Sequence, residues 1–197
     1  MLNIAVFASG RGSNFSAIIK AARKGLIKAN LSLLVCDNPA AGAIQKAKRS
    51  GIEIALVERK DFASKIEFEK GIIQHLEAHD IGLIILAGFM RLLTPDFIRK
   101  YSGRILNIHP ALLPSFKGVE GIKDAFGYGV KITGVTVHFV DEEMDHGPII
   151  LQRTAKIEES DTPESLEAKI HKIEHRLYPQ AIKLFAEGRL QIEGRKV

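Results

Sequence analysis

Through the first 110 residues of this 197-residue chain, short apolar runs bounded by turn residues alternate with amphipathic stretches, and this alternation restricts the fold more than any other feature. The runs Leu2 to Ala8, Leu31 to Cys36, Glu53 to Val57, Leu83 to Ala87 and Arg104 to Ile108 are predicted strands. They are nearly continuous in apolar character, as strands covered on both faces must be, which points to a parallel sheet. Between them Ser13 to Arg23, Ala40 to Ser50, Phe62 to His79 and Pro95 to Tyr101 are predicted helices, the third presenting Phe62, Ile66, Glu69, Ile73 and Leu76 at helical spacing. The expectation is an α/β protein with an open, mostly parallel twisted sheet and helices on both faces.

Beyond Pro110 the pattern changes to a glycine-rich loop, a short helix Val119 to Tyr128, and two strands, Ile132 to Val140 and Ile149 to Ile157, which are close enough to pair antiparallel. A long final helix starts at Thr162-Pro163, a capping residue followed by proline at the first helical position. Its apolar stripe is Leu166, Ile170, Ile173, Leu177, Ala181 and Leu184, and Pro179 within it predicts a kink or break that frees the carbonyl of His175. His171, Glu174, His175 and Tyr178 share another face, which is polar enough to line a site but reads more simply as solvent-facing.

Several functions are disfavoured. Ile81 to Met90 and the other apolar runs fall well short of the ~18–20 residues that span a bilayer, and the start carries no signal-peptide pattern, so a cytoplasmic protein is expected. The single cysteine, Cys36, cannot form an intrachain disulfide and leaves too few thiolates for a cysteine-rich metal site. A net charge of +5 favours acidic partners such as phosphorylated small molecules. The basic residues are scattered, without the clustered stripe and interleaved aromatics of a nucleic-acid binder.

Three loops and one strand end could carry chemistry. Ser9-Gly10-Arg11-Gly12-Ser13-Asn14 follows the first strand and opens the first helix, where close backbone approach and helix N-terminal amides suit an anion. Phe15 stands where a dinucleotide fingerprint needs glycine, and no Walker lysine follows; Ser13 and Asn14 add donors suited to a phosphate monoester, and the alternative is a tight turn with Ser13 as N-cap. Ala87 to Pro95 follows the fourth strand, where Met90, Leu92 and Leu93 either hold a flat heteroaromatic ring or pack in the core. In Asn107-Ile108-His109-Pro110 the amide and imidazole lie two residues apart on an extended segment and so face one side, a pairing of oxyanion donor and proton-transfer group. A satisfied loop histidine beside a turn-forming asparagine fits the same residues. Asp141 to Pro148 is an acidic turn, and a carboxylate from it near His109 would favour the imidazolium and raise its pKa. A solvated hairpin suits that turn better than a metal site.

Five segments together, SGRGSNF at 9–15, LAGFMRLL at 86–93, GRILNIHPALLPSFKG at 103–118, VTVHFVDEEMDHGPIILQ at 135–152 and EHRLYP at 174–179, resemble the phosphoribosylglycinamide formyltransferase family, the folate-dependent GAR transformylases. The resemblance implies a formyltransferase-like Rossmann variant forming a single domain over 1–197. Residues 1–110 would be the phosphate-binding βα half, and 111–197 the folate-side and catalytic-loop half with the C-terminal helix. It implies Asn107, His109 and Asp145 as catalytic residues. It places the phosphate of glycinamide ribonucleotide on Gly12, Ser13 and Asn14, its amine near Glu174, and 10-formyltetrahydrofolate, as co-substrate, on Lys65, Met90, Arg91, Leu92, Leu93 and Asn107. No metal, nucleic acid or membrane is implied, and the chain would be a monomer or homodimer. The chain departs from the family at Lys65, where the familiar bacterial form carries arginine, at Glu120-Gly121-Ile122, where some relatives carry histidines, and at His171, where a glutamine is found in some. Formyltetrahydrofolate hydrolase and methionyl-tRNA formyltransferase resemble the chain as well, but carry extra domains. A non-catalytic phosphate-ligand module would explain the glycine turn and not the trio.

Overall fold

The computed structural model describes all 197 residues. Seven strands form one sheet: β1 (Leu2–Phe7), β2 (Ala29–Cys36), β3 (Glu53–Leu56), β4 (Ile81–Leu86), β5 (Ile105–His109), β6 (Ile132–Phe139) and β7 (Ile149–Lys156), in the order β3-β2-β1-β4-β5-β6-β7. The strands from β3 to β5 pair in parallel, and β6 and β7 add antiparallel. Six α-helices accompany them: α1 (Ser13–Arg23), α2 (Gly42–Ser50), α3 (Lys65–Ala78), α4 (Pro95–Lys100), α5 (Gly121–Tyr128) and α6 (Pro163–Ala186).

The period-two alternation of the strands divides the core. Ile4, Val6 and Ala8 of the first strand segment, Leu83 and Ile85 of β4, and Leu106 and Ile108 of β5 face α1, α2 and α6; Ala5, Phe7, Ile84 and Ile105 face α3 and α4. Each fully buried Leu, Ile or Phe in these layers contributes roughly 1.5–3 kcal/mol over leaving it exposed. The β1–β2 connection runs to one side of β1 while β4 lies on the other, so the chain direction switches between β1 and β4 and opens a crevice at their carboxyl ends.

The predicted elements are all present, with ends moved by at most three residues. In α3 the buried stripe is Phe68, Glu69, Ile72 and Leu76, and Ile66 is exposed, so of the predicted stripe only Glu69 and Leu76 are fully buried. The reason is that α3 starts at Lys65, capped by Ser64 accepting from Glu67 N, after a short 3-10 turn at Arg59–Asp61 that takes Phe62 out of the helix. Helix α6 continues unbroken through Pro179, because its sheet-facing residues are packed on both sides of the proline. The solvent-facing reading of its polar face is overturned: Glu174 is 5% and Tyr178 0% exposed. The Tyr178 hydroxyl lies 2.8 Å from the Leu86 carbonyl and 2.9 Å from that of Leu106, closing the ends of β4 and β5 beneath the crevice.

Candidate active site

A cleft of about 540 Å³ lies along the carboxyl ends of β1, β4 and β5, a volume suited to a small-molecule site. Its walls include Gly10 to Asn14, Lys65, Leu86 to Leu93, Asn107 to Pro110, the 141–145 turn, His171 and Glu174. Every residue to which the family resemblance assigns a catalytic or binding role therefore lines one space.

At one end, Gly12 is the N-cap of α1 and adopts the left-handed conformation with φ 69°; a β-carbon there would sit 3.0 Å from the Ala43 side chain, so glycine is required twice over. The helix begins at Ser13, which corrects the reading of Ser13 as N-cap. No side chain caps α1, so its first amides remain free for an anion. Lys46 of α2 donates to the Arg11 and Gly12 carbonyls at 2.6 and 3.0 Å and braces the turn from outside. Lys46 also joins Lys20, Arg23, Lys24 and Arg49 along a groove between α1 and α2, so part of the scattered basic sequence is gathered in space. The Asn14 side chain turns away from this anion position. Its amide donates to Glu174 at 3.0 Å and leaves its own carbonyl oxygen buried without a partner. Burial raises the Glu174 carboxyl above the usual range, opposed by the Asn14 bond and by His171, whose Nε2 lies 4.0 Å away. The Glu174 carboxylate thus lies on the cleft wall beside an amide whose own oxygen is left unsatisfied.

The opposite end is assembled from two antiparallel strands. Asn107 and His109 share a face of β5, and the register sets His138 of β6 directly across from Asn107 and Thr136 across from His109. Asp145 comes in from the turn after β6 with φ 50°, an uncommon conformation that asparagine and aspartate tolerate best. The turn is held close by Gly147, where a β-carbon would lie 1.9 Å from the Phe139 carbonyl oxygen. Asp145 Oδ2 lies 3.4 Å from His109 Nδ1 and accepts from Gly118 N at 2.9 Å; Oδ1 lies 3.4 Å from Asn107 Nδ2 and 3.7 Å from His138 Nε2. Burial alone would raise the Asp145 carboxyl, but His138, the Gly118 amide and His109 together hold it below the ordinary value.

His109 is 3% exposed, and its Nε2 lies 2.7 Å from the Phe116 carbonyl, which fixes a proton on that nitrogen. The neutral ring thus turns the Nδ1 lone pair toward Asp145, leaving a proton slot between them. Contrary to the expectation from sequence, the His109 pKa is lowered: desolvation by burial outweighs the upward pull of Asp145 and the Phe116 bond, and His138 adds a further downward push. His138, buried at 2% exposure, was missed as a site residue; its signal was the alternation in Val135 to Val140, which puts Thr136 and His138 on one face. Thr136 donates to the Ala111 carbonyl at 2.7 Å and accepts from Leu113 N at 3.1 Å, fixing the turn that follows His109.

The third wall is the 88–94 loop. Met90 and Leu92 are 74% and 66% exposed, which overturns the core-packing alternative for these two and leaves apolar surface facing the cleft. Ser9 holds the loop by accepting from Met90 N at 2.9 Å and donating its backbone N–H to the Gly88 carbonyl at 3.0 Å. The Arg91 guanidinium bonds Asp37 at 2.5 Å and lies over the Phe68 ring at 5.7 Å, which ties this side chain to the α3 side of the loop.

The formyl transferase family pattern matches residues 2–182. The chain belongs to the formyl transferase family. It is 48% identical over 183 residues to the phosphoribosylglycinamide formyltransferase of Bacillus subtilis (strain 168), covering 93% of this chain and 94% of that one. It is 39% identical over 189 residues to the trifunctional purine biosynthetic protein adenosine-3 of Homo sapiens, covering 96% of this chain and 19% of that much longer protein. The fold of this family member superposes on the glycinamide ribonucleotide transformylase 1 of Symbiobacterium toebii with a TM-score of 0.97 at 42% identity, covering 100% of this chain and 93% of that one. The corresponding enzyme of Geobacillus kaustophilus gives 0.92 at 46% identity, over 94% and 99%. No helix is long and apolar enough to cross a membrane.

Proposed function

We propose that this formyl transferase moves a formyl group from 10-formyltetrahydrofolate to the amine of glycinamide ribonucleotide, in the cytoplasm, as a step of de novo purine synthesis. The observation that carries this reading is the convergence of Asn107, His109 and Asp145 at one end of a cleft whose other end is the uncapped N-terminus of α1. The whole span 1–197 acts as one catalytic domain. Residues 1–110 bind the phosphate, and 111–197 contribute the catalytic loop and the C-terminal helix. Gly12, Ser13 and Asn14 hold the phosphate chiefly through backbone amides, and Glu174 holds the amine. Lys65 and the Met90 to Leu93 segment receive the folate, with Arg91 contributing main chain.

The amine nitrogen attacks the formyl carbon, and the carbonyl π electrons pass to oxygen. Asn107 Nδ2–H and the Nδ1–H of protonated His109 stabilise that oxyanion, and Asp145 steadies the imidazolium against the cost of its burial. The carbon–N10 bond then breaks with its electron pair going to the folate nitrogen. That nitrogen takes up a proton while the attacking nitrogen loses one, and the slot between His109 and Asp145 carries protons between the two. Alignment of two substrates in one cleft supplies much of the acceleration. The test is to incubate the protein with 10-formyltetrahydrofolate, with and without glycinamide ribonucleotide, and follow tetrahydrofolate release. Release is expected only with the ribonucleotide; equal release in its absence would assign hydrolysis instead.

A further inference from the structure

Glu69 is buried at 3% exposure on α3, outside the cleft, and its carboxylate is used entirely on Thr94. Oε1 accepts from Thr94 N at 2.7 Å, and Oε2 accepts from the Thr94 hydroxyl. The same hydroxyl accepts from Phe97 N at 3.3 Å as the N-cap of α4. A buried carboxylate is costly to desolvate, and two hydrogen bonds to a single residue are a specific way to satisfy it. What those bonds join is informative. One turn before Glu69, the same helix presents Lys65 to the cleft, and immediately before Thr94 the chain presents Leu92 and Leu93 to it. Between them Phe68 lies under the Arg91 guanidinium.

We infer that Glu69 is a positioning residue that sets the separation of Lys65 from the Met90–Leu93 loop and thereby shapes the folate side of the cleft selectively. Resting on the formyltransferase reading, the inference adds a residue that touches neither substrate. The two ends of the loop are tied differently. Ser9 fixes its start to the end of β1, beside the phosphate turn, and Glu69 fixes its finish to α3, remote from that turn. Loss of the Glu69 tie therefore loosens one wall, and leaves Gly12, Asn14 and Glu174 undisturbed.

The experiment is calorimetric titration of wild-type protein and of Glu69→Ala, Thr94→Val and Thr94→Ser with two probes, tetrahydrofolate and glycinamide ribonucleotide. Glu69→Ala is expected to weaken tetrahydrofolate binding about tenfold, corresponding to part of the loss of a charged hydrogen-bond pair, and ribonucleotide binding less than about twofold. Thr94→Val keeps the backbone donor and is expected to weaken tetrahydrofolate by about threefold, with Thr94→Ser close to wild type. In turnover the same variants raise the folate KM more than they lower kcat. Equal weakening of both probes, or unchanged tetrahydrofolate binding, overturns the inference. If Glu69→Ala does not fold, the contrast between Thr94→Val and Thr94→Ser decides it in the same way. Wild-type protein that binds the ribonucleotide and not tetrahydrofolate removes the folate reading itself, a result distinct from selective failure in the variants.

Discussion

The two ends of the cleft are built from different materials. The anion end rests on backbone: a left-handed glycine, uncapped helix amides and a lysine bracing two carbonyls. The other end is made of side chains gathered from two antiparallel strands and a turn, the Asp145 carboxylate set among the buried rings of His109 and His138 and the Asn107 amide. Backbone amides bind a dianion over a wide pH range with no proton to gain or lose, whereas a buried imidazole beside a carboxylate is poised to take and return one. Under the proposed function one end holds and the other reacts, and their variants should then divide between KM and kcat.

The largest expected effect is at the reacting end. His109→Ala and Asp145→Asn should each lower kcat by about 10²- to 10⁴-fold with much smaller changes in substrate affinity, measured by steady-state kinetics and equilibrium binding. Near-normal turnover in both variants would abolish the distinction. Next is Gly12→Ala, which forces a side chain into the left-handed region and against Ala43. A strain of about 1–2 kcal/mol should raise the ribonucleotide KM by roughly tenfold, with kcat changed less. A fall in kcat with unchanged KM would mean that the turn serves the reaction as well as binding.

The smallest effect concerns Glu174, which sits beside Asn14 at the anion end. Its folded-state pKa is raised by burial, so the folded protein binds more protons than the unfolded chain between the unfolded and folded values. Stability therefore decreases as pH rises through that window, and the ionised carboxylate is a net cost above it. Glu174→Gln should leave the thermal midpoint at neutral pH equal or slightly higher while weakening ribonucleotide binding, and should flatten the pH dependence of stability in the weakly acidic range. A lower midpoint would show that the carboxylate's charge, through Asn14 and His171, stabilises more than its burial costs.

Different parts of the molecule were legible in the sequence to different degrees. The parallel layers were, because strands covered on both faces must be apolar almost throughout and because glycine, serine and proline mark their ends. Asn107 and His109 could be placed on one face from the strand period alone. His138 could not be joined to them, since that required the β5–β6 register, which only pairing across the sheet determines. The polar face with Glu174 reads as solvated for a similar reason, since a carboxylate on a helix does so until its partner, here Asn14 160 residues earlier, is known. Glu69 falls on the predicted buried stripe of α3, but its partner Thr94, 25 residues later, is not visible from spacing. The direction of the His109 shift failed for a related reason, because the proximity of Asp145 could be anticipated and the depth of burial could not.

The most direct test of the account follows the carbon itself. With 10-formyltetrahydrofolate carrying a ¹³C-labelled formyl group and equimolar glycinamide ribonucleotide, NMR should show the label passing into a new amide on the ribonucleotide in step with tetrahydrofolate formation. Label accumulating as free formate, or tetrahydrofolate forming without labelled amide, would contradict it.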